Sequence, residues 1–263
     1  MHNTEVIDMS HKLNIENVSK QYAGTYALAP TNLTVSDGEF ITIVGPSGCG
    51  KSTLFNIISG VLNPTEGDVL IDEKDVTNAP GHVGYMMQKD LLLPWKSTFE
   101  NILLGISLTR KASKEEQERA ATLAERYGLG TFLNNFPHTM SGGMRQRAAF
   151  LRTLMFNKDV LLLDEPFGAL DSQTRFSMQQ WLLDVWSEQR RTILFITHDV
   201  EEAVFLADRV VVMSPRPGRI EEIIPIEIER PRERGILTSE AFIAYKRQIL
   251  DLIYTDPDRS DHE

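Results

Sequence analysis

The hydrophobic residues of this chain fall into short runs that are separated by polar or glycine-containing turns. Near the N-terminus, Leu13 to Ser19 alternates between apolar and polar residues, which predicts a strand with one buried face. Four later runs are almost continuously apolar and have the length of a strand that is buried on both faces. These buried runs are Phe40–Val44, Val160–Leu163, Thr192–Thr197 and Arg209–Met213.

The segments between the later runs have the character of helices. Asp171–Gln189 and Val200–Ala207 each lie between two buried runs, so the order is strand, helix, strand, helix, strand. Short apolar strands that alternate with helices predict a mainly parallel sheet and an α/β fold. We expect one domain, with a core of residues 13–88 and 156–230, a helical insert at 89–155 and a C-terminal tail at 231–263.

Composition and charge narrow the classes of function. The chain has 263 residues, 41% of them hydrophobic, which is enough for a sizeable core. Its formal net charge is −10, so we expect no nucleic-acid partner. The single cysteine, Cys49, rules out an intrachain disulfide and favours a reducing compartment. Residues 1–12 lack the apolar core of a signal peptide, and no run reaches the ~18–20 apolar residues of a membrane span. We therefore expect any membrane association to come through a partner.

A glycine-rich segment follows the first buried run and precedes a helix-like run at Leu54–Ser59. Residues 45–53 fit the phosphate-binding pattern G-x-x-x-x-G-K-[ST]. Glycines allow successive backbone N–H groups to point at phosphate oxygens, and the start of the helix adds its positive dipole end. We expect Lys51 to reach the β- and γ-phosphates of a nucleoside triphosphate and the Ser52 hydroxyl to hold Mg²⁺. The predicted phosphate-binding residues are Gly45, Pro46, Ser47, Gly48, Cys49, Gly50, Lys51, Ser52 and Thr53.

A pair of carboxylates ends the buried run Val160–Leu163. Phosphoryl-transfer sites hold the hydrated Mg²⁺ with a carboxylate at the end of a buried strand, and Asp164 fits this role. The next residue, Glu165, would point elsewhere and polarise an attacking water. The alternative is a pair of charges that simply meets solvent at a strand end, and the phosphate loop makes it the weaker interpretation.

A second predicted anion site lies at Ser141, Gly142 and Gly143, directly before a helix that starts near Arg145. A serine followed by two glycines at a helix start offers a hydroxyl and free N–H groups to an anion. The alternative is an ordinary helix cap with a flexible entry. One chain has little use for a second phosphate site unless two chains share a nucleotide.

Together these motifs resemble the ATP-binding subunit of ABC transporters over nearly the whole chain. Residues 45–53 are similar to the Walker A motif of that family, residues 160–165 to its Walker B motif, and residues 141–147 to its signature motif. Further similar positions are Gln88 (Q-loop glutamine), Asp171 (D-loop), His198 (switch histidine) and Tyr22 (the aromatic residue that stacks on adenine). Tyr26 is a rival for the adenine contact, and Asp171 also fits a helix N-cap.

The resemblance implies a P-loop NTPase core with antiparallel N-terminal strands and a helical subdomain, acting as an ATPase in a head-to-tail homodimer. ATP with Mg²⁺ at Lys51 of one chain would be covered by residues 141–143 of the other, and Asp171 would lie at the dimer interface. Glu165 would orient the attacking water, and His198 would contact the γ-phosphate. Gln88 would touch Mg²⁺ or water and report the state of the site to the helical insert.

A further resemblance points to importers. Residues 91–95 and 214–219, with the signature motif, are similar to segments of the nitrate, sulfonate, taurine and bicarbonate importer group, which includes ATPases for pyrimidine-type thiamine precursors. This implies integral-membrane permease subunits, an extracytoplasmic solute-binding protein and a peripheral place on the cytoplasmic face of the inner membrane. The apolar run Leu91–Trp95 would form a groove for a partner helix, or would pack into the core.

Two other functions are alternatives. A soluble ABC ATPase without a transport role, acting in DNA repair or on ribosomes, typically carries long coiled coils or a second cassette, and this chain has neither. A nucleotide-binding scaffold without turnover would not need Glu165 and His198. The sequence leaves the transported solute open.

Overall fold

The computed structural model of the protein describes residues 11–254, and strands and helices alternate through most of that range. In chain order the strands are β1 (His11–Tyr22), β2 (Thr25–Ser36), β3 (Phe40–Val44), β4 (Glu66–Ile71), β5 (Lys74–Asp75), β6 (Gly84–Met86), β7 (Val160–Asp164), β8 (Thr192–Ile196), β9 (Arg209–Met213) and β10 (Ile220–Pro225). The helices are α1 (Lys51–Ile58), α2 (Thr98–Ile102), α3 (Leu104–Ser107), α4 (Lys114–Arg126), α5 (Gly142–Met155), α6 (Ser172–Gln189), α7 (Val200–Leu206) and α8 (Glu240–Tyr254).

Two sheets organise these elements. The first is antiparallel, with the strand order β2-β1-β4-β5. The second has the order β10-β9-β3-β8-β7-β6, in which β9, β3, β8, β7 and β6 are parallel and the edge strand β10 is antiparallel to β9. The predicted α/β fold, with a mainly parallel sheet and antiparallel N-terminal strands, is confirmed.

The parallel sheet is buried on both faces because its strands are apolar at almost every position. On β7, Leu161 and Leu163 pack into the hydrophobic cluster formed with α5, α6, α7 and α8. Leu162 belongs to the opposite cluster, where α1 lies between this sheet and the antiparallel sheet. The same alternation holds on β8, where Phe195 faces the first cluster and Leu194 the second.

The helical insert is joined to the core chiefly through α5. This helix packs against α2, α3 and α4 within the insert and also against β6 of the parallel sheet. Helices α2 and α4 each begin with a capping box, formed by Ser97 with Glu100 and by Ser113 with Glu116. The charged residues of α4 face solvent, and its alanines at 120 and 124 are buried.

Because parallel strands all run in one direction, the carboxyl ends of β9, β3, β8, β7 and β6 meet at one edge of the sheet, where open α/β folds bind ligands. The loops that leave this edge carry residues 214–219, 45–50, 198, 165 and 88, in that spatial order. Within residues 11–254, no helix has the length and apolar character that crossing a bilayer requires. Residues 255–263 of the predicted tail lie outside the described residues.

Candidate active site

A cavity of about 700 Å³ opens where the parallel strands end. Its described lining residues are Tyr22, Ala27, Gly45, Ser47, Gly48, Gly50, Lys51, Ser52, Thr53, Gln88, Glu165, His198 and Arg216. Residues from the loops after β3, β6, β7, β8 and β9 therefore meet at one site, together with residues from the β1–β2 hairpin. Tyr22 lines the cavity and is half exposed, whereas Tyr26 does not line it.

The phosphate loop joins β3 to α1 and is closed by its own lysine. The Lys51 ammonium is largely buried and donates to the carbonyl oxygens of Gly45, at 2.7 Å, and Pro46, at 3.0 Å. Gly50 is the N-cap residue of α1, and no acidic side chain lies in the first turn of that helix. The positive end of the helix is thus not neutralised from within the helix and is directed to the cavity wall.

Close backbone contacts explain two of the loop glycines. Both Gly45, at φ +155°, and Gly50, at φ +106°, adopt conformations that L side chains rarely take. A Cβ at Gly45 would lie 2.7 Å from the Met213 carbonyl oxygen, and one at Gly50 would lie 2.9 Å from that of Ala27.

Two residues of the predicted phosphate-binding set do not line the cavity. These are Pro46 and Cys49, and the buried Sγ of Cys49 lies 3.6 Å from Lys51 Nζ.

Asp164, at the end of β7, is buried beside Ser52. Burial raises the pKa of its carboxyl, and a hydrogen bond from the Ser52 side chain opposes the shift. Among the described residues, no group of three or more histidine, cysteine or acidic side chains could hold a metal ion alone. Mg²⁺ bound through one carboxylate, with phosphate oxygens as further ligands, fits this donor set, since hard oxygen ligands suit that ion.

Three side chains meet where β6, β7 and β8 end, and two of them approach one carboxylate oxygen of the third, Oε2 of Glu165. Gln88 Nε2 donates to it at 3.2 Å, and His198 Nδ1 lies 3.4 Å from it. The main chain of Glu165 is held in the left-handed region at φ +47°, with its N–H donating to Ile196 and its carbonyl oxygen accepting from Gln146 Nε2 at 3.0 Å. Such a backbone persists only where surrounding contacts fix it, as they do here.

A buried hydrogen-bond network holds the chain directly before His198. Thr197, the preceding residue, donates from Oγ1 to Glu202 at 2.5 Å and accepts from the Asp199 N–H at 3.0 Å. Gln179 of α6 donates to the other oxygen of Glu202 at 2.8 Å. Burial raises the pKa of the Glu202 carboxyl, and its two donors oppose that shift. This network was not predicted from the sequence because Gln179 lies 23 residues before Glu202 and meets it only when α6 packs beside α7.

The predicted signature residues do not face the cavity of their own chain. Ser141 is the N-cap residue of α5, where its Oγ accepts from the Met144 N–H at 3.3 Å. Residues 141–143 do not line the cavity, and neither does Asp171. The Asp171 side chain caps α6 by accepting from the Thr174 N–H at 2.9 Å.

Three residues at the site were not predicted from sequence. Ala27 and Arg216 line the cavity. Gln146, in α5, donates to the Glu165 carbonyl oxygen and accepts from the Ala169 N–H at 2.9 Å, so it links two points of the segment between β7 and α6. The sequence drew attention to the region of Arg216, since residues 214–219 are similar to a segment of the importer group, but it assigned no role to Arg216 itself.

Comparison with known proteins identifies the family. A family model described as ABC transporter matches residues 28–168. The chain belongs to the ABC transporter family. A Brucella abortus protein named as an ATP-binding protein is 42% identical over 255 residues, which are 97% of this chain and 98% of that protein.

Two importer ATP-binding proteins are similar at a slightly lower level. The aliphatic sulfonates import protein SsuB of Bacillus cereus is 39% identical over 232 residues, 88% of this chain and 90% of that one. The taurine import protein TauB of Rhizobium johnstonii is 39% identical over 256 residues, 94% of this chain and 98% of that one.

Two solved structures of an ABC transporter cassette share the fold. A dimeric structure superposes with a TM-score of 0.75 at 34% identity, covering 82% of this chain and all of that one. A dimeric post-hydrolysis state bound to ADP and phosphate gives a TM-score of 0.74 at 33% identity, with the same coverage. This ABC transporter family member binds ATP and ADP and hydrolyses ATP.

We expect Glu202→Gln to slow ATP hydrolysis by this ABC ATPase about fivefold, equivalent to roughly 1 kcal/mol for one lost buried hydrogen bond. The amide of Gln presents an NH₂ donor in place of one of the two carboxylate oxygens, so either Thr197 or Gln179 loses the acceptor that it has in the parent, and the loop that carries His198 loosens. Steady-state ATPase assays give kcat, and calorimetry with ADP should show unchanged affinity.

The matched control for this prediction is Glu201→Gln. Glu201 is the exposed neighbour of Glu202, and its carboxylate pairs with the Lys246 ammonium of α8 at 2.5 Å. Its substitution should leave kcat within about twofold of the parent, because exposed ion pairs contribute little. Equal kcat values for the Glu202 variant and the parent would show that the network does not position the histidine.

Proposed function

We propose that this ABC ATPase energises an importer by working as a head-to-tail homodimer on integral-membrane permease subunits. The observation that carries the proposal is the position of residues 141–143, which present the N-terminus of α5 away from the cavity of their own chain. A second chain related by a two-fold axis can place this helix start over the cavity.

The half-site in each chain supports this arrangement. Gly142 is exposed, and a Cβ there would meet only Arg145 NH2, at 3.9 Å. The Ser141 hydroxyl accepts one capping bond and keeps its own hydrogen for a phosphate oxygen. A helix of 14 residues with free N–H groups at its start attracts an anion. The γ-phosphate bound at Lys51 of the partner chain would supply that anion.

The proposed chemistry assigns one role to each side chain around Glu165. Glu165 orients the attacking water and accepts its proton. His198 contacts the γ-phosphate and stabilises the charge that develops on it. Asp164, Ser52 and Gln88 would hold Mg²⁺, which would supply positive charge to the phosphate oxygens. The approach of Gln88 to Glu165 supports this assignment, because metal and water sites are then adjacent.

We propose that the loop after Gln88 transmits the state of the site to the membrane partner. Asp90 accepts from Arg145 Nε at 2.9 Å, and its carbonyl oxygen accepts from Arg152 at 2.7 Å. Arg152 also donates to the Leu91 carbonyl oxygen at 2.8 Å. Both arginines belong to α5, so a partner chain that displaces α5 would also displace this loop.

The run Leu91–Trp95 supplies the docking surface in this proposal. Its backbone is fixed by the fully buried Asn101, which accepts from the Leu93 N–H and donates to the Leu93 carbonyl oxygen. Leu92 is buried, but Leu91 and Trp95 remain 52% and 71% exposed. Two exposed apolar side chains on an ordered loop favour binding of an amphipathic helix, because little ordering entropy is lost.

The importer class gives the remaining assignments. We propose a small anion of the sulfonate, taurine or nitrate type as the solute, or a thiamine-precursor pyrimidine, since SsuB and TauB are named for sulfonate and taurine import. An extracytoplasmic solute-binding protein would select it, and the ATPase would lie peripherally on the cytoplasmic face of the membrane. Residues 89–155 would move as a unit against the core of 13–88 and 156–230.

We expect Glu165→Gln to form a stable dimer with Mg²⁺-ATP, because slowed hydrolysis leaves two ATP molecules bound between the chains. Sedimentation velocity should show a monomer with ADP and a dimer with ATP. Adding Ser141→Arg to this variant should return it to the monomer, since the bulky side chain blocks the contact with the γ-phosphate of the partner chain.

The matched control adds Ser113→Arg to the same variant. Ser113 is also an N-cap serine, at the start of α4, so its replacement removes a comparable cap worth about 1 kcal/mol. This control should still dimerise with ATP. A Glu165→Gln protein that stays monomeric with ATP would contradict the proposed dimer.

We expect Trp95→Ser to weaken co-purification with the permease subunits at least tenfold, as loss of a buried aromatic anchor commonly costs about 2 kcal/mol or more at an interface. Basal ATPase activity of the isolated subunit should not change. Val61→Ser is the control, because Val61 is also an apolar residue and is 65% exposed. It follows α1 and is not part of the run Leu91–Trp95. Retention of the permease by the Trp95 variant, or capture of nucleic acid instead of a membrane protein, would count against the importer.

A further inference from the structure

We propose that Arg216 binds the nucleoside end, adenine and ribose, of the nucleotide in this cavity. Arg216 lies in the 214–219 loop, which joins β9 to β10. It lines the same cavity as Lys51 and Glu165. The inference rests on ATP and ADP binding by a single chain and on the γ-phosphate roles proposed above for His198 and Glu165, and it depends on neither the importer nor the dimer.

Strand order places Arg216 opposite the γ-phosphate machinery. The strand before the phosphate loop, β3, lies between β9 on one side and β8 on the other, with β7 beyond β8. His198 and Glu165 follow β8 and β7, and the roles proposed above for these two side chains assign that end of the cavity to the γ-phosphate. The ends of β9 and β7 are three strand spacings apart, about 14 Å. A nucleotide anchored at Lys51 therefore extends its other end toward the 214–219 loop.

Contacts with β2 place this loop beside the residues that suit a base. Leu28 forms a parallel bridge with Gly218, and the Ala29 N–H donates to the Gly218 carbonyl oxygen at 2.8 Å. Ala27, directly before Leu28, lines the cavity, as does Tyr22 at the end of the strand paired with β2. Arg216 thus shares its side of the cavity with an aromatic side chain and a small apolar one.

The loop is also fitted against the phosphate loop. A Cβ at Gly218 would lie 1.6 Å from the Cys49 carbonyl oxygen, so only glycine allows the two loops to approach this closely. The Ser214 N–H donates to the Arg219 carbonyl oxygen at 3.0 Å, and Ser214 Oγ accepts from the Arg219 N–H at 3.2 Å. These bonds close the loop around the segment that carries Arg216.

The backbone on both sides of Arg216 is restricted by Pro215 and Pro217, whose rings fix φ. A side chain presented by such a loop loses less freedom on binding than one on a flexible loop. The guanidinium is therefore held near the cavity before the nucleotide arrives.

Charge pairing separates Arg216 from the other arginine of this loop. Within residues 11–254, Arg216 has no hydrogen bond or ion pair to another side chain, whereas Arg219 pairs with Glu221 at 3.2 Å. An unpaired planar guanidinium stacks on aromatic rings and donates to ribose or base oxygen and nitrogen atoms.

The test compares two ligands that differ only in the nucleoside. Mg²⁺-ADP and Mg²⁺-pyrophosphate are titrated calorimetrically into the parent chain, Arg216→Ala, Arg216→Lys and Arg219→Ala. We expect Arg216→Ala to weaken ADP about fivefold, the size of an exposed cation–π contact, and to leave pyrophosphate unchanged. Arg216→Lys should weaken ADP about threefold, because the ammonium keeps the charge but not the planar group. Arg219→Ala should change neither ligand.

Each other outcome overturns the proposal. Unchanged ADP affinity in Arg216→Ala shows that the side chain stays in solvent. If Arg216→Ala weakens the affinity for ADP and for pyrophosphate equally, the side chain contacts phosphate or acts only through its charge. If Arg219→Ala weakens the affinity for ADP as much as Arg216→Ala does, the effect is one of general charge. Thermal unfolding without ligand checks the fold of each variant, and Arg216→Lys provides the comparison if the alanine variant is destabilised.

Discussion

Burial of the parallel sheet on both faces is the constraint on which the rest of this structure depends. Strands such as β3 and β7 are apolar at most positions on both faces, so they leave little place for charged side chains except where a strand ends, as at Asp164. Chemistry is therefore confined to the loops where the strands end, and parallel direction brings those loops to one edge. Five strand ends thus supply the phosphate loop, Gln88, Glu165, His198 and the 214–219 loop to a single cavity.

Hydrogen bonds from the helical insert make the active site depend on that insert. Gln146 and Arg145 are neighbours on α5, yet the first bonds the Glu165 backbone and the second pairs with Asp90 of the loop after Gln88. The helix whose N-terminus would meet the partner chain is therefore bonded to both sides of the catalytic cluster. In the proposed dimer, a contact at the N-terminus of α5 would therefore reach both Glu165 and the loop after Gln88 through bonds made by one helix.

Much of the site could be predicted because its motifs are contiguous. The phosphate loop and the carboxylates at 164–165 are local patterns in which strand, turn and helix follow one another. The contacts of Gln146, Glu202 and Arg216 could not be predicted, since they depend on how α5 and α6 pack and on which strands pair. Pairing of β9 with β3 is what brings Arg216 beside the phosphate loop, although the two lie far apart in the sequence. Only the folded chain likewise shows that Tyr22 lines the cavity and that Tyr26 does not, while the contact with adenine stays a prediction.

In the dimer that we propose, each nucleotide is enclosed between two chains, with Lys51 from one chain and residues 141–143 from the other. The most direct measurement is the structure of the Glu165→Gln protein with Mg²⁺-ATP. In the proposed dimer, the Ser141 hydroxyl and the Gly143 N–H of each chain lie within hydrogen-bond distance of the γ-phosphate that the other chain binds. A closed complex in which residues 141–143 face solvent, far from both nucleotides, would contradict it.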